Sequence, residues 1–218
     1  MAKVMLVAGL AKHIPIIEGM DYIGVDYGAV CCLRQKLPLV LAVGDFDSTT
    51  KEELDALKKN CKVHQLPIQK NETDSEEAIR CAIELGYDEI ILYGGLGGRL
   101  DHELANLHLL LYRDLPLTLM NEHNVMKVLL PGSYTIQKQY RYLSFFAIEE
   151  SVISESGVAY PLCEKHLRPR DIFAVSNEIS QQEAEIIVHE GKVLMIQSDD
   201  GAVTDKSSSK TKKIHPIP

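Results

Sequence analysis

Three near-continuous apolar runs, VMLVAG (4–9), YIGVD (22–26) and LVLAVGD (39–45), constrain this chain's fold more than any other feature. None alternates polar with apolar residues, so each predicts a strand buried on both faces, and each stops at a glycine or an aspartate. KVHQL (62–66), EIILYG (89–94) and LTLMN (117–121) continue the series. Helical patterns lie between them. Thr73 with Glu76 three residues on is a capping-box pattern, and it precedes apolar Ala78, Ile79, Ala82, Ile83 and Leu85. Leu100, Leu104, Leu107 and Leu111 fall at i, i+4, i+7 and i+11 and predict one buried stripe on a further helix. Strands alternating with helices predict an α/β domain with a mostly parallel sheet and helices on both sides.

After about residue 124 the period changes. VMKVLLPGSYTIQ, YRYLSFFAI, SGVAYPL, DIFAVSN, AEIIVHEG and KVLMIQS are short β-branched or aromatic runs, separated by turn residues such as Pro131-Gly132 and Glu190-Gly191. They predict an all-β, sandwich-like or barrel-like second domain. The expected organisation is therefore 1–123 α/β, 124–205 all-β, and 206–218 a polar, basic tail ending in KIHPIP.

The 218 residues, 45% hydrophobic and 25% charged, are enough to bury a self-sufficient core. A formal charge of −8 opposes broad electrostatic binding to nucleic acid or to anionic lipid, both of which need a basic face. Phosphate recognition, if present, must be local. The five cysteines include no CxxC pair, so neither a zinc ribbon nor a disulfide framework is expected. The N-terminal apolar stretch is broken by Lys12, His13 and Pro15, and no run reaches the roughly 20 apolar residues of a membrane span. A cytoplasmic protein is the expectation.

In an open parallel sheet, ligands sit beyond the carboxyl ends of the strands, and acids are found there in this sequence. Asp26 ends one run and GDFDS (44–48) ends the next. If strand geometry persists through GDFDS, Asp45 and Asp47 point to one side and Phe46 into packing. Two such charges about 4 Å apart repel by about 1 kcal/mol in water and about 4 at a protein surface. Mg²⁺, which takes one or two carboxylates and leaves its other positions to water and phosphate, resolves that repulsion. The alternative is that one Asp caps the following helix and the other is a solvated turn residue. Asp74 starts the helix after QKNET (69–73), where an acid also offsets the helix dipole. Lys70, a cation just before the same helix start, adds to its positive potential and invites an anion.

GGLGGRLDHELANL (94–107) follows the strand EIILYG. Gly94, Gly95, Gly97 and Gly98 let successive backbone N–H groups close around phosphate oxygens, and the helix N-terminus behind them adds partial positive charge. Arg99 offers a bidentate fork for phosphate. Asp101 at an anion-attracting helix start fits best if a metal accompanies the phosphates. His102 and Asn106 share a helix face, and His102 is placed to orient Asp101 or a substrate oxygen. No GK[ST] follows the glycines, so this is not a Walker A loop, and the Rossmann fingerprint fits poorly.

Taken together, GDFDS (44–48), KNETDSEEA (70–78) and GGLGGRLDHELANL (94–107) resemble, in order and spacing, the motifs of the thiamine pyrophosphokinase family. VSN (175–177) resembles its late Ser-Asn element. The resemblance implies ATP and Mg²⁺, transfer of a pyrophosphoryl group to the hydroxyl of thiamine, and release of AMP. It implies a homodimer, with thiamine held between the N-terminal domain of one subunit and the β domain of the other. It further implies that Asp45, Asp47, Asp74 and Asp101 serve metal and phosphates, one acid helping to deprotonate the thiamine hydroxyl. Lys70, Arg99, His102 and the four glycines would hold ATP, while Ser176 and Asn177 would line the thiamine site. DYGAV (26–30) departs from the family pattern, which often carries a second glycine and an Asn there; Asp26 is assigned to the thiamine site. Without Trp, any aromatic platform for thiamine must be Tyr or Phe.

Three rival readings remain. DFDST (45–49) satisfies the DxDxT of phosphatases similar to the haloacid-dehalogenase superfamily, with Asp45 as nucleophile, Asp47 as acid and Asp199-Asp200 after a later strand. Against it, two strands precede the motif. Pyrophosphoryl transfer to a hydroxymethylpterin keeps the chemistry and changes the acceptor; VSN favours thiamine. A catalytically idle nucleotide-binding module is the third, and retention of all four motif aspartates argues against it.

Overall fold

The computed structural model describes residues 2–200; the basic tail expected at 206–218 lies outside the described residues. The chain divides into two compact units, Met1–Glu122 and a second beginning at His123.

The first unit runs β1 (Lys3–Val7), β2 (Asp21–Val25), α1 (Tyr27–Arg34), β3 (Leu39–Gly44), α2 (Lys51–Asn60), β4 (Lys62–Gln65), α3 (Asp74–Glu84), β5 (Glu89–Tyr93), α4 (Leu100–Tyr112) and β6 (Leu117–Met120). The six strands pair in the order β6-β5-β1-β2-β3-β4, every pairing parallel. All their carboxyl ends therefore share one edge. Each apolar run became a strand, and β1, β5 and β6 are buried almost throughout, as lack of alternation requires. Strand order reverses between β1 and β5, and the glycine-rich loop leaves β5 at that switch point.

The helices show where periodicity misleads. The expected stripe on α4 is not buried: Leu100 and Leu104 are exposed, Leu107 and Leu111 half-buried, and the buried residues are Asn106, Leu109 and Leu110. HELANLHLLLY is apolar around so much of its girth that spacing alone selects no face. Packing against β6 and α3 selects it, together with a hydrogen bond from Asn106 Nδ2 to Gly95 O at 2.8 Å. Helix α3 carries half of its expected capping box. Thr73 accepts from the Glu76 N–H, but the Glu76 carboxylate turns to Arg113 at 3.2 Å. A complete box instead opens α2, between Thr50 and Glu53.

The second unit is an antiparallel sandwich. Its strands are β7 (Asn124–Leu129), β8 (Gly132–Gln137), β9 (Tyr142–Ala147), β10 (Ser151–Ser156), β11 (Leu162–Leu167), β12 (Asn177–Glu178), β13 (Glu183–Glu190) and β14 (Val193–Ser198). One sheet orders β12-β9-β14-β7 and the other β11-β10-β13-β8. Leu143, Phe145 and Met195 of the first meet Ile136, Ile153 and Ile186 of the second in one apolar core. SGVAYPL and DIFAVSN are largely irregular rather than strands. The strands that border them, SVISES and LCEKHL, place Ser and Glu inward or bare charges outward. A charged outer strand such as β11 protects a sheet edge from further pairing.

Candidate active site

The acids gather beyond β2 and β3. Asp26 lies one residue past β2 with φ 48° and ψ −123°, outside the regions that residues with side chains ordinarily occupy. Its N–H donates to Val43 O at 2.8 Å, which ties the turn after β2 to the end of β3. Strand geometry does not persist through GDFDS: β3 stops at Gly44, and Phe46 takes a positive φ of 58°. Phe46 still enters the core formed by Ala29, Val30, Ala42 and Leu57. Its burial swings both flanking aspartates to the rim, where the Asp47 N–H closes a turn onto Asp45 Oδ1 at 3.2 Å. Neither aspartate caps α2, because Thr50 does.

Carboxylate oxygens of Asp26, Asp45 and Asp47 lie within 4.8 Å of one another. Asp26 Oδ2 accepts from Ser48 Oγ at 3.1 Å, while its buried Oδ1 has no hydrogen-bond partner. Burial, chiefly, raises the Asp26 carboxyl above its ordinary range, and the charges of Asp74 and Asp45 add to the effect. A carboxyl with one orphaned buried oxygen, grouped with two further carboxylates, is costly unless a cation accompanies it. The donor set fits Mg²⁺, whose bonds of about 2.1 Å hold adjacent oxygens about 3 Å apart.

Lys70 sits across from them. Its ammonium donates to Asp74 Oδ1 at 2.9 Å and to Asp45 Oδ2 at 3.3 Å. Burial works against its charge, yet these two hydrogen bonds win and hold its pKa above the usual lysine range. Asp74 thus joins the site through Lys70 rather than as a fourth member of the acid triad.

The glycine loop is shaped by real constraints. Gly94 has φ +78°, and a Cβ there would stand 2.7 Å from the Ala11 nitrogen. Gly97 and Gly98 also take positive φ, so the chain doubles back just ahead of α4. Asn106, buried one helical turn beyond His102, anchors the Gly95 carbonyl. Arg99 and Asp101 meet each other, Nε to Oδ1 at 3.1 Å and Nη2 to Oδ2 at 2.6 Å, and the guanidinium lowers the Asp101 carboxyl to about 2. Both are exposed, and so is the His102 ring. Asp101 is not brought into the triad.

Ser176 and Asn177 lie in the β unit. Ser176 is exposed with φ 62°, its N–H donating to Ser144 Oγ at 2.9 Å. The Asn177 side chain is buried and saturated. Its Nδ2 donates to Glu155 Oε2 at 3.0 Å and Tyr160 O at 2.9 Å, while Oδ1 accepts from the N–H groups of Tyr160 and Glu178 at 3.0 and 2.9 Å. Tyr160 is held by both backbone groups, and the residue is 73% exposed.

Sequence reasoning missed Ser48, which lies inside GDFDS and holds Asp26, and it missed Tyr160 and Glu155 as partners of Asn177. It assigned Asp26 to thiamine without grouping it with Asp45 and Asp47, beside which the fold sets it. A second grouping, His64, Glu77 and Cys81, has its carboxylate already taken by Arg80 and by His64 at 3.0 Å. It reads as an ion-pair cluster. The DxDxT match follows the third strand, and Asp199-Asp200 lies in the β unit beyond β14.

Comparison with known proteins agrees with this layout. Residues 20–119 match the description "Thiamin pyrophosphokinase, catalytic domain", and residues 133–193 match "Thiamin pyrophosphokinase, vitamin B1 binding domain". The chain is similar to thiamine pyrophosphokinase of Bacillus subtilis, 32% identical over 92% of this chain and 100% of that one. The crystal structure of a B. subtilis thiamine pyrophosphokinase superposes with a TM-score of 0.80, at 32% identity over 91% of this chain and 99% of that chain. That of a thiamin pyrophosphokinase from Geobacillus thermodenitrificans gives 0.79, at 33% identity over 92% and 99%. With its acids at the sheet edge, its glycine loop at the switch point and its β unit matching the vitamin-binding description, the chain belongs to the thiamin pyrophosphokinase family of ATP-dependent pyrophosphotransferases.

Proposed function

We propose that the chain transfers the pyrophosphoryl group of ATP to the hydroxyl of thiamine, giving thiamine diphosphate and AMP, with its acid triad as the metal seat. The observation that carries this reading is the convergence of the Asp26, Asp45 and Asp47 carboxylates, one of which, Asp26, keeps a buried oxygen without a hydrogen-bond partner. Asp26, Asp45 and Asp47 would hold Mg²⁺, which when bound supplies charge neutralisation for the phosphates. Lys70 balances Asp45 and Asp74 and reaches toward the same phosphates. The loop from Gly94 to Gly98 cradles phosphate oxygens with backbone N–H groups, His102 and the first turn of α4 extend that cradle, and Arg99 exchanges its fork from Asp101 to the nucleotide.

The thiamine hydroxyl oxygen attacks the β-phosphorus. The bond from that phosphorus to the oxygen bridging it to the α-phosphorus breaks, AMP leaves, and the hydroxyl proton passes to a carboxylate at the strand edge. Such a transfer needs in-line positioning and charge stabilisation more than covalent help from the protein. In the β unit, Tyr160 offers an aromatic face to the cationic ring system, flanked by the Ser176-Asn177 turn.

The chain works as a homodimer, in which the acids of one copy and the β unit of the other serve one thiamine. Exposed Leu100, Leu104 and Tyr112 on α4 support that assembly. Free thiols at all five cysteines fit the cytoplasm, and among the described residues no helix is long and apolar enough to cross a membrane. The test is incubation with ATP, Mg²⁺ and either thiamine or hydroxymethylpterin, followed by nucleotide chromatography. AMP formed only with thiamine supports the reading; ADP in place of AMP sinks it.

A further inference from the structure

Among the described residues, Glu155 is the one charged side chain of the β unit that is fully enclosed, 2% exposed. It projects from β10 on the same side as buried Ser151 and Ile153, and its register neighbours are Leu162 on β11 and Ile186 on β13. Among the described residues it has no ion-pair partner; its side-chain hydrogen bond comes from Asn177 Nδ2. A carboxyl in apolar surroundings opposes folding, and an aliphatic residue of similar volume would serve the core better. What it gains is control of Asn177. With a carboxylate in front of it, the Asn177 amide must present nitrogen there, which turns Oδ1 toward the Tyr160 and Glu178 N–H groups. A flipped amide would set oxygen against carboxylate and against the Tyr160 carbonyl.

We infer that Glu155 is a positioning residue for the acceptor site: it fixes the Asn177 amide, and through it the Tyr160 backbone and the strained Ser176-Asn177 turn, without touching the acceptor. The inference rests on the thiamine reading proposed above. It also predicts a local structural effect that does not depend on that reading.

The test compares the full-length wild type with Glu155→Leu and Glu155→Gln. Kinetics give KM for thiamine, KM for ATP and kcat; hydrogen exchange reads the Tyr160 and Glu178 amides. Glu155→Leu should raise the thiamine KM at least about tenfold, with the ATP KM and kcat within about twofold. The same variant should lose protection at the Tyr160 and Glu178 amides and keep it along β13. Glu155→Gln, which retains an acceptor for Asn177, should restore both readouts. If Glu155→Leu does not fold, Glu155→Met is read in the same way. An unchanged thiamine KM with unchanged protection overturns the inference, as does an equal rise in both KM values. A wild type that forms no AMP from thiamine overturns the functional reading, and the exchange data then decide the role of Glu155 in holding Asn177.

Discussion

Replacing Glu155 with Gln should make the protein more stable at neutral and alkaline pH and leave it unchanged in acid. Burial pushes the Glu155 carboxyl up to about 7 from an ordinary 4.5, opposed only by the Asn177 hydrogen bond. A carboxyl raised on folding contributes stability that is complete below its unfolded value and is lost as pH climbs through its folded value. The loss therefore begins near pH 4.5 and is complete above pH 7. At about 1.4 kcal/mol for each unit, the difference comes to about 3 kcal/mol. Glutamine has the same shape and still accepts from Asn177, but it has no charge to strand in the core. Urea unfolding of both proteins at pH 4 and pH 8.5 measures the effect. Curves that coincide in acid and separate by roughly 1 M at pH 8.5, the variant more stable, are expected from a slope of 2–3 kcal/mol/M. A variant no more stable than wild type at pH 8.5 would refute the claim that this carboxyl sits unpaired in an apolar environment.

Other outcomes follow from the same geometry. Asp45→Asn removes one triad carboxylate and one partner of Lys70, and turnover in the coupled AMP assay should fall on the order of 100-fold or more. Asp101→Asn loosens the exposed ion pair that holds Arg99 and should lower turnover without altering the circular dichroism spectrum; unchanged activity would remove it from the site. Gly28→Ala places a Cβ 1.8 Å from the Val7 carbonyl oxygen, which should cost about 1–3 kcal/mol in thermal or urea unfolding as α1 is pushed off the sheet. Leu104→Glu, on the exposed face of α4, should convert a dimer to a monomer in light scattering; a dimer that survives it uses another face.

Most strands of the first unit were legible because both of their faces are covered, which leaves an apolar run no other reading; the edge strand β4 is the exception, with no fully buried residue. Helix α2 was less so: a helix was expected after GDFDS, but KEELDALKKN buries only Leu57, and the Thr50/Glu53 box that opens it went unread. Strands β10 and β11 escaped because the inward positions of one hold Ser151 and Glu155 and the other is mostly exposed. At the site, each acid could be named from the sequence, but their grouping could not. Which carboxylates meet depends on β2 lying beside β3 and on the turn at Phe46, and neither fact is local to a motif. Asn177 shows the converse: its place in VSN was visible, but the four hydrogen bonds that saturate its amide come from residues 155, 160 and 178.

The crowding of Asp26, Asp45 and Asp47, with Asp74 joined to Asp45 through the Lys70 ammonium, also sets a sequence of arrivals. A bare triphosphate approaching that strand edge meets its own sign of charge, and a nucleotide already carrying its cation, being partly neutralised, meets less repulsion. Free ATP should therefore be a poor occupant and a weak competitor, while the cationic acceptor is drawn in by the same field. Added salt should slow the acceptor's encounter and ease the nucleotide's, so the mouth of the site acts as a toll on electrical charge before any bond is made.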